Sequence, residues 1–347
     1  MPQVAVAAAH TGPPTAPPML CVIAGDGIGP EVVPVAVEVL GKLLPALQVT
    51  EAEASWECFQ RHGCAVPEAT LASMRTCGAG LFGAVSSPSR SVAGYRSAIL
   101  TLRQSLGLNV NLRPVRSWPH VSPQAGVDLM ILRENSEGLY SGREHWESDG
   151  VAIAERVISR QACERLASCA VQIAAARNSR RITLVHKANV LPLTCGLFRD
   201  SCRAVLEAAG FGAVLDERLV DVAALQLVQS PQAFDLIVTS NLFGDILSDL
   251  ACHWSGGLGL APSLNWGAGL ALAEPVHGSA PDIAGSGRAN PLAAILSAAL
   301  LLRYHWQQPL LAERLEHSVR DFLEQEGRID FGGETTRVIG QGILARL

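Results

Sequence analysis

The sequence predicts an α/β fold built around a largely parallel sheet, and three observations support that prediction. Several short segments are apolar throughout, which is typical of parallel strands covered on both faces. Segments with helical spacing of apolar residues alternate with those strands. The chain has 347 residues, of which 32 are glycine, and this length suits about two domains.

The predicted elements follow one another along the chain. The first strand spans residues 19–24, and a glycine-rich turn at 25–30 leads into a helix whose apolar residues repeat from Val32 to Leu43. Further apolar runs predict strands at 80–85, 129–132, 181–186, 213–215 and 234–239. Helices are predicted at 94–106, 161–177, 197–209 and 291–304, the last of which opens with a proline suited to a first helical turn.

The composition excludes several classes of protein. There are 27 basic and 32 acidic residues, for a net charge of −5, so we expect no nucleic-acid partner. With 48% apolar and 17% charged residues, the chain is not a disordered one. The apolar run at 292–302 is far shorter than the roughly 18 residues of a membrane span, so we expect no membrane association.

Two features bear on location and on the chain end. The nine cysteines include no Cys-x-x-Cys pair, which predicts free thiols and a reducing, cytoplasmic location. Residues 1–18 are rich in proline and lack a basic segment followed by an apolar one. We therefore expect a disordered N-terminal extension rather than a signal peptide.

The turn at 25–30 suggests a dinucleotide-binding fingerprint but does not complete it. The third glycine of that fingerprint would fall at position 30, which is Pro30. That glycine permits close packing of helix on strand in the Rossmann fold. The turn therefore predicts a tight strand-to-helix connection in a fold that is not a Rossmann fold.

An acidic pair follows the strand at 234–239. Asn241 is suited to cap the next helix, and Asp245 and Asp249 lie four residues apart, on one helix face. Ligands sit at the carboxyl ends of strands in open α/β sheets, and oxygen ligands favour Mg²⁺ or Mn²⁺. The pair fits either a metal site or a solvated start of a helix.

Arginines in apolar surroundings suggest a ligand with several carboxylates. In the predicted helix 94–106, spacing places Arg96, Ile99, Leu100 and Arg103 in one stripe. Such a stripe suits a substrate with carboxylates and an alkyl part, although an ordinary surface helix remains equally compatible. Arg113 and Arg133 add two more guanidinium groups, which bind carboxylates through paired hydrogen bonds.

Two further segments carry polar groups. Lys187 follows the strand 181–186 and, taken alone, is more typical of a salt-bridge partner than of a catalytic base. The loop 274–282 is rich in turn-forming residues and could hold a nucleotide or be a purely structural loop. In the first case Asp282 would bind ribose hydroxyls and His277 would stack on a base.

Seven segments together resemble one family. They are GDGIGPEV at 25–32, LRQSLGLNVNLRPV at 102–115, LRENSEGLYSG at 132–142, HKANVL at 186–191, NLFGDILSDLA at 241–251, GGLGLAPS at 256–263 and EPVHGSAPDIAGSGRANP at 274–291. In these the chain resembles, from about residue 19 to its C-terminus, the β-decarboxylating dehydrogenases of isocitrate, 3-isopropylmalate, homoisocitrate and tartrate.

The resemblance implies an architecture. Two α/β domains would share a large mixed sheet, as in isopropylmalate dehydrogenase, with residues 19–108 and 256–347 in the first domain and 109–255 in the second. The second domain would form a homodimer in which each active site borrows residues from the partner subunit, and a higher homo-oligomer is compatible with this.

The resemblance also implies a reaction and its residues. We expect NAD-dependent, Mg²⁺- or Mn²⁺-dependent oxidative decarboxylation of a hydroxy-dicarboxylate or tricarboxylate, with Tyr140 and the partner's Lys187 as the acid–base pair. The implied substrate residues are Arg96, Ser97, Ile99, Leu100, Arg103, Arg113, Arg133, Asn189 and Asp221. The implied metal ligands are Asp245, Asp249 and, from the other subunit, Asp221. The implied NAD residues are Ile28, Glu274, His277, Gly278, Ser279, Ala280, Asp282, Ile283 and Asn290.

The implied substrate is a 3-substituted malate. Enzymes of this family that act on isocitrate carry an asparagine where this chain has Ile99, and loss of that amide should weaken isocitrate binding by about 1–3 kcal/mol. Residues 95–99 look most like homoisocitrate and archaeal-type isopropylmalate enzymes, between which the sequence does not decide. Isocitrate is the third choice, and a tartrate or malate dehydrogenase also stays open. NADP-dependent relatives carry basic or aromatic residues near Asp282 and Ile283, so we expect NAD.

The chain departs from the family pattern at Asn109 with Val110, at Ser86-Ser87-Pro88 in place of Gly-Gly-Pro, at Cys195 and at His253-Trp254. We expect these departures to affect packing and the cofactor loop, not the reacting groups. Two other classes stay open: a metal-dependent phosphate-ester enzyme, which would have no use for Tyr140 and Lys187, and a non-catalytic regulatory subunit, which would not need to retain them.

Overall fold

The structure is a computed structural model that describes residues 17–210, 212–267, 269–327 and 335–347. The disordered extension expected at 1–18 lies outside the described residues, apart from its last two prolines. The chain divides into two compact units. The first comprises the chain up to Leu106 with Pro262–Leu264 and Gly269–Leu347, and the second comprises Gly107–Ala261 with Asn265–Ala268.

Within the described residues, the strands are β1 (Met19–Gly25), β2 (Gln48–Glu51), β3 (Ala79–Ala84), β4 (Val110–Arg116), β5 (Asp128–Glu134), β6 (Glu144–Ser148), β7 (Val151–Ala154), β8 (Arg181–His186), β9 (Val214–Leu219), β10 (Leu236–Thr239), β11 (Pro262–Gly267) and β12 (Leu270–Pro275). The α-helices are α1 (Gly29–Leu43), α2 (Trp56–His62), α3 (Glu68–Cys77), α4 (Ala98–Ser105), α5 (Arg160–Arg177), α6 (Thr194–Ala208), α7 (Val220–Gln229), α8 (Asn241–Ala251), α9 (Leu292–Leu300), α10 (Pro309–Glu326) and α11 (Thr335–Arg346).

The main sheet of the described chain has ten strands in the order β2-β1-β3-β12-β11-β4-β5-β10-β8-β9. β1 pairs parallel with β2 and β3, and β10 pairs parallel with β5 and β8. β4 pairs antiparallel with β5, with Asn111 opposite Arg133. The prediction of an α/β fold with a large mixed sheet, distinct from a Rossmann fold, is confirmed.

The first unit places helices on its parallel strands. α1 packs on β1 and β3, and α9 packs on β12. Every residue of α9 is buried, as expected for a helix that is apolar on all sides. Its last turn continues as a π-helix over Leu301–His305, so the predicted helix 291–304 exists with a wider final turn.

The core of the second unit lies between its strands and the helices α7 and α8. Leu129 and Ile131 from β5, Ile237 from β10 and Leu247 from α8 belong to one buried cluster. This packing fixes α8 against β5, so that the carboxyl ends of β5 and β10 lie beside the start of α8. A separate hairpin, β6–β7, is mostly exposed and carries Trp146, which is 74% exposed.

One predicted helix begins later than expected. The segment 94–106 becomes helical only at Ala98, because Gly94 has a φ of 76° and Ser97, with ψ of 130°, occupies the N-cap. Arg96 and Ser97 therefore precede the helix, and the predicted four-residue stripe on one helix face is wrong for Arg96. The exposed Arg96 guanidinium instead donates to Gln104 Oε1 at 2.5 Å.

Candidate active site

The second unit brings together four residues that the sequence analysis singled out. Arg113 from β4 and Arg133 from β5 face the acidic pair on α8. Arg113 Nη1 lies 3.3 Å from Asp245 Oδ1 and 3.2 Å from Asp249 Oδ1, and Arg133 Nη1 donates to Asp245. The cluster thus alternates two guanidinium groups with two carboxylates at the carboxyl end of β10, where the sequence predicted a ligand site.

The Arg133 guanidinium is held by a residue whose role was predicted incorrectly. Asn241 was expected to cap α8, but it is the first helical residue and Ser240 occupies the N-cap. The side-chain oxygen of Asn241 accepts from Arg133 Nε at 3.1 Å and Nη2 at 2.7 Å. Because Arg133 is 1% exposed, burial of its charge requires hydrogen-bond acceptors, and the side-chain oxygen of Asn241 supplies one for Nε and Nη2.

Two residues that the sequence analysis missed orient Arg113. Its Nε donates to Asn111 Oδ1 at 2.6 Å, and its Nη1 donates to Ser248 Oγ at 2.6 Å. Both positions carry a signal in the sequence. Asn111 lies two residues before Arg113 and so on the same face of a strand, while Ser248 lies three residues after Asp245 on the same face of a helix.

Tyr140 joins this cluster from a 3₁₀ turn at Leu139–Ser141. Its hydroxyl donates to Asp245 Oδ2, and the Arg133 guanidinium lies 5.0 Å from the centroid of its ring. Burial, followed by the hydrogen bond to Asp245, raises the pKa of Tyr140. The phenol therefore keeps its proton at neutral pH and can donate it.

Lys187 and Asp221 form a second, separate pair in the same unit. Lys187 follows β8 and Asp221 lies in the first turn of α7, with Lys187 Nζ 2.5 Å from Asp221 Oδ1. The hydrogen bond from Lys187 lowers the pKa of Asp221. Asn189 lies exposed just after Lys187.

Within the described part of this one chain, no three histidine, cysteine or carboxylate side chains are grouped to hold a metal. Asp221 therefore does not complete a three-carboxylate site with Asp245 and Asp249 inside a single chain.

The remaining predicted substrate residues lie in the first unit. Ile99 and Leu100 are half-buried on α4, and Ser97 occupies the N-cap position of that helix without a side-chain capping hydrogen bond. Arg103, 6% exposed, forms an ion pair with Glu274, in which Nη2 lies 2.6 Å from Oε1. Its Nε has no hydrogen-bond partner among the described residues. A buried donor without a partner costs about 1–3 kcal/mol, so this edge of the guanidinium favours an incoming acceptor.

The predicted cofactor loop runs from the end of β12 to the start of α9, and it packs against the glycine-rich turn. The Ile28 amide donates to the Ser279 carbonyl at 2.9 Å. Gly27 has a φ of 61°, and a Cβ there would lie 2.0 Å from the Ser279 carbonyl oxygen. The glycines at 25–29 therefore serve close contact between backbone segments, which explains them without a Rossmann fingerprint.

Other residues of the loop have local partners. Burial lowers the pKa of His277, whose Nδ1 lies 3.0 Å from the Gly278 carbonyl oxygen. Asp282 is exposed, whereas Asn290 Oδ1 accepts from the amide of Leu292, the first residue of α9, at 3.0 Å. Ala280 has a φ of 40°, an uncommon conformation for a residue other than glycine, of the kind that concentrates at ligand sites.

The departures from the family pattern contact packing elements and the cofactor loop. Ser86 donates through its hydroxyl to Ser279 Oγ at 2.8 Å, and Trp254 packs against the core of the second unit. Asn109 accepts the Asn135 amide through its carbonyl at 2.9 Å. Buried Cys195 lies with its Sγ 2.9 Å from Arg156 Nη1.

Comparison with known proteins agrees with the family resemblance of the sequence. The family described as isocitrate/isopropylmalate dehydrogenase matches residues 19–343. An isocitrate/homoisocitrate dehydrogenase from Thermus thermophilus is 51% identical over 319 residues, which cover 91% of this chain and 94% of that protein. A homoisocitrate dehydrogenase from Methanocaldococcus jannaschii is 42% identical over 341 residues, covering 94% and 96%.

A solved structure is also similar. The crystal structure of isocitrate dehydrogenase from Methylococcus capsulatus superposes with a TM-score of 0.88 at 38% identity, covering 94% of this chain and 98% of that one.

Among the described residues, no helix combines the length and the apolar character needed to cross a membrane.

Proposed function

Since the chain belongs to the isocitrate/isopropylmalate dehydrogenase family and is an oxidoreductase, we propose that it catalyses the NAD-dependent and Mg²⁺- or Mn²⁺-dependent oxidative decarboxylation of a 3-substituted malate. The products are a 2-oxo acid, CO₂ and NADH. The observation that carries this proposal is the cluster of Arg113, Arg133, Tyr140, Asp245 and Asp249, in which cations, carboxylates and a protonated phenol meet within hydrogen-bond distance.

The donors in this cluster fit a divalent cation. Asp245 and Asp249 offer only oxygen ligands, which Mg²⁺ and Mn²⁺ prefer. Burial raises the pKa of Asp249; Arg113 lowers it, and the like charge of neighbouring Asp245 raises it, so the two ionised carboxylates repel each other. A metal held by these two carboxylates and by Asp221 of the partner subunit would relieve that repulsion. When bound, such an ion polarises the oxygen at C2, and nicotinamide accepts the hydride.

The arginines would bind the carboxylates of the hydroxy acid. In the described chain Arg113 and Arg133 share Asp245 as a partner, and a substrate carboxylate would compete for the same guanidinium groups. Arg103, with its unpartnered Nε, would also bind a malate carboxylate. Arg96, Ser97, Ile99 and Leu100 would contact the substituent on C3.

Lys187 and Tyr140 would move the protons. Lys187 of the partner subunit accepts the proton of the 2-hydroxyl group as hydride leaves C2. After CO₂ departs, Tyr140, which burial and Asp245 keep protonated, delivers a proton to C3. Asn189 would orient Lys187.

The homodimer supplies the second half of each site. Exposed apolar side chains lie on the helices that carry Asp221 and Asp245: Leu225 is 56% exposed, Val228 51% and Ile246 57%. Since α7 and α8 pack against each other, exposed apolar side chains on both helices favour an interaction surface there. We propose that residues 109–255 form this interface, that residues 19–108 and 256–347 form the cofactor domain, and that the enzyme is cytoplasmic.

The substrate is assigned to the homoisocitrate or 3-isopropylmalate type. Relatives named for isocitrate/homoisocitrate, homoisocitrate and 3-isopropylmalate/3-methylmalate are 51%, 42% and 43% identical to the chain. The half-buried Ile99 and Leu100 fit an alkyl substituent, and exposed Arg96 fits an added carboxylate. A kcat/KM panel over homoisocitrate, 3-isopropylmalate, isocitrate and tartrate ranks them.

Subunit complementation tests the shared site. Lys187→Met and Tyr140→Phe should each lower turnover by about 10²–10⁴-fold, as loss of a positioned base or acid does. A hybrid dimer of the two variants holds one site with both defects and one site with neither, so mixing them should restore activity. Mixing Tyr140→Phe with Arg133→Lys is the matched control, because both lesions lie in the same cluster and neither site of that hybrid is intact. Absence of recovery with exchange verified by mass spectrometry would contradict the proposal.

A further inference from the structure

Ser86 connects three segments of the first unit through three of its polar groups. It follows β3, and its amide donates to Asp26 Oδ2 at 2.8 Å. Its hydroxyl donates to Ser279 Oγ at 2.8 Å, and its carbonyl accepts from Tyr95 Oη at 3.3 Å. The residue therefore has the glycine-rich turn, the cofactor loop and the segment before α4 as its neighbours.

On the side of the cofactor loop, Ser86 completes the hold on Ser279. Ser279 is 8% exposed, and its carbonyl already accepts from the Ile28 amide at 2.9 Å. The Ser86 hydroxyl binds its side chain, so the two bonds fix both the backbone and the side chain of this loop residue. Loss of the Ser86 hydroxyl would release the side chain of Ser279 and loosen the loop.

On the other side, Ser86 holds Tyr95, which directly precedes Arg96. The ring of Tyr95 packs edge-on against Trp56, with 4.8 Å between ring centroids. Asp26, 2% exposed, accepts from the Trp56 amide at 2.9 Å as well as from Ser86. Ser86 and Trp56, which contact the hydroxyl and the ring of Tyr95, thus share one buried carboxylate, while Phe59 and Ser87 contact the same side chain.

We propose that Ser86 is a positioning residue that couples the dinucleotide site to the site for the C3 substituent, an inference that rests on the proposed function. A dinucleotide that orders the loop around Ser279 also orders Ser86 and, through the Ser86 carbonyl, Tyr95. The hydroxy acid then binds more tightly, because its segment is already ordered. By linkage, the bound hydroxy acid tightens dinucleotide binding by the same factor as the dinucleotide tightens hydroxy-acid binding.

The coupling is measured as a ratio of two dissociation constants for NADH, in which the Kd without hydroxy acid is divided by the Kd with saturating Mg²⁺ and hydroxy acid. NADH fluorescence gives its Kd in the absence and in the presence of saturating Mg²⁺ and hydroxy acid, using whichever of homoisocitrate and 3-isopropylmalate has the higher kcat/KM. Ser86→Ala should weaken NADH binding about three- to tenfold, the effect of one neutral hydrogen bond, and should lower the ratio. Tyr95→Phe should lower the ratio while NADH alone binds as in the wild type.

Three further variants complete the test. Ser89→Ala, at an exposed serine in the segment that follows β3, should leave the Kd for NADH and the coupling ratio unchanged. Ser86→Thr, which keeps the hydroxyl group, should restore the wild-type ratio. The double variant Ser86→Ala/Tyr95→Phe should lose no more coupling than the single variants, because both bonds belong to one path.

The inference is overturned if Ser86→Ala has the coupling ratio of Ser89→Ala, or if Ser86→Thr behaves like Ser86→Ala. Thermal unfolding of each variant shows whether the fold is retained, and a ratio of two affinities is not moved by a uniform loss of folded protein. A wild-type protein that binds no NADH under any of these conditions would contradict the proposed function itself, which separates that failure from failure of the coupling.

Discussion

Gly27→Ala should damage the cofactor loop specifically. Gly27 has a φ of 61°, and an added Cβ would lie 2.0 Å from the Ser279 carbonyl oxygen, a backbone atom that cannot rotate away. A left-handed conformation costs an alanine about 1–2 kcal/mol. Displacement of the Ser279 carbonyl removes its hydrogen bond with the Ile28 amide, worth about 0.5–1.5 kcal/mol.

The expected loss of unfolding free energy is therefore about 1.5–3.5 kcal/mol, with a KM for NAD raised about tenfold or more because the loop is displaced. Two other glycines separate the contributions. Gly63 has a φ of 71° with open space around it, so Gly63→Ala reports the backbone term alone. Gly41 lies in α1 with nothing within 4 Å and no positive φ, so Gly41→Ala should stabilise the protein by about 0.5–1 kcal/mol.

Urea unfolding and steady-state kinetics with NAD provide both measurements. If Gly27→Ala loses no more stability than Gly63→Ala and keeps the wild-type KM for NAD, then the glycine-rich turn does not fix the cofactor loop in the way that its contact with Ser279 implies.

Three more outcomes are expected. Asp249→Asn, at a side chain that is 56% exposed, should weaken Mn²⁺ binding measured by calorimetry and lower turnover while leaving the melting temperature unchanged; wild-type Mn²⁺ affinity would refute the ligand role. NAD should exceed NADP in kcat/KM by at least about tenfold, or about 1.4 kcal/mol, and Asp282→Lys should narrow that preference; equal use of both cofactors by the wild type would refute it. Burial lowers the pKa of His305, so the contribution of its neutral ring to stability is present at neutral pH and is lost as the pH falls. His305→Gln should therefore flatten the decline in unfolding free energy between about pH 7 and pH 5. A decline as steep as that of the wild type would contradict this.

Strands rich in apolar and β-branched residues were predictable from sequence. β8 spans 181–186 as predicted, and α5 begins one residue before its predicted start. β4 was missed because Arg113 and Pro114 interrupt its apolar run, and proline is rare inside strands. β2, whose four residues are all exposed, offers no apolar pattern to detect.

The site was predictable in its residue types but not in its contacts. Spacing alone placed Asp245 and Asp249 on one face of a helix, and the structure has them there. That Asn111 lies opposite Arg133 depends on the antiparallel register of β4 and β5, which no local pattern specifies. Because α8 starts at Asn241, the side-chain oxygen of Asn241 is available to accept a hydrogen bond from Arg133. This tertiary contact overrides the capping preference of asparagine.

The most direct test of the account is the stoichiometry of the reaction. Wild-type protein with NAD, Mg²⁺ and whichever of homoisocitrate and 3-isopropylmalate has the higher kcat/KM should form NADH and CO₂ in equal amounts, and excess EDTA should abolish both. NADH without CO₂, or full activity in EDTA after extensive dialysis, would contradict the assignment of a metal-dependent oxidative decarboxylation to the residues around Asp245.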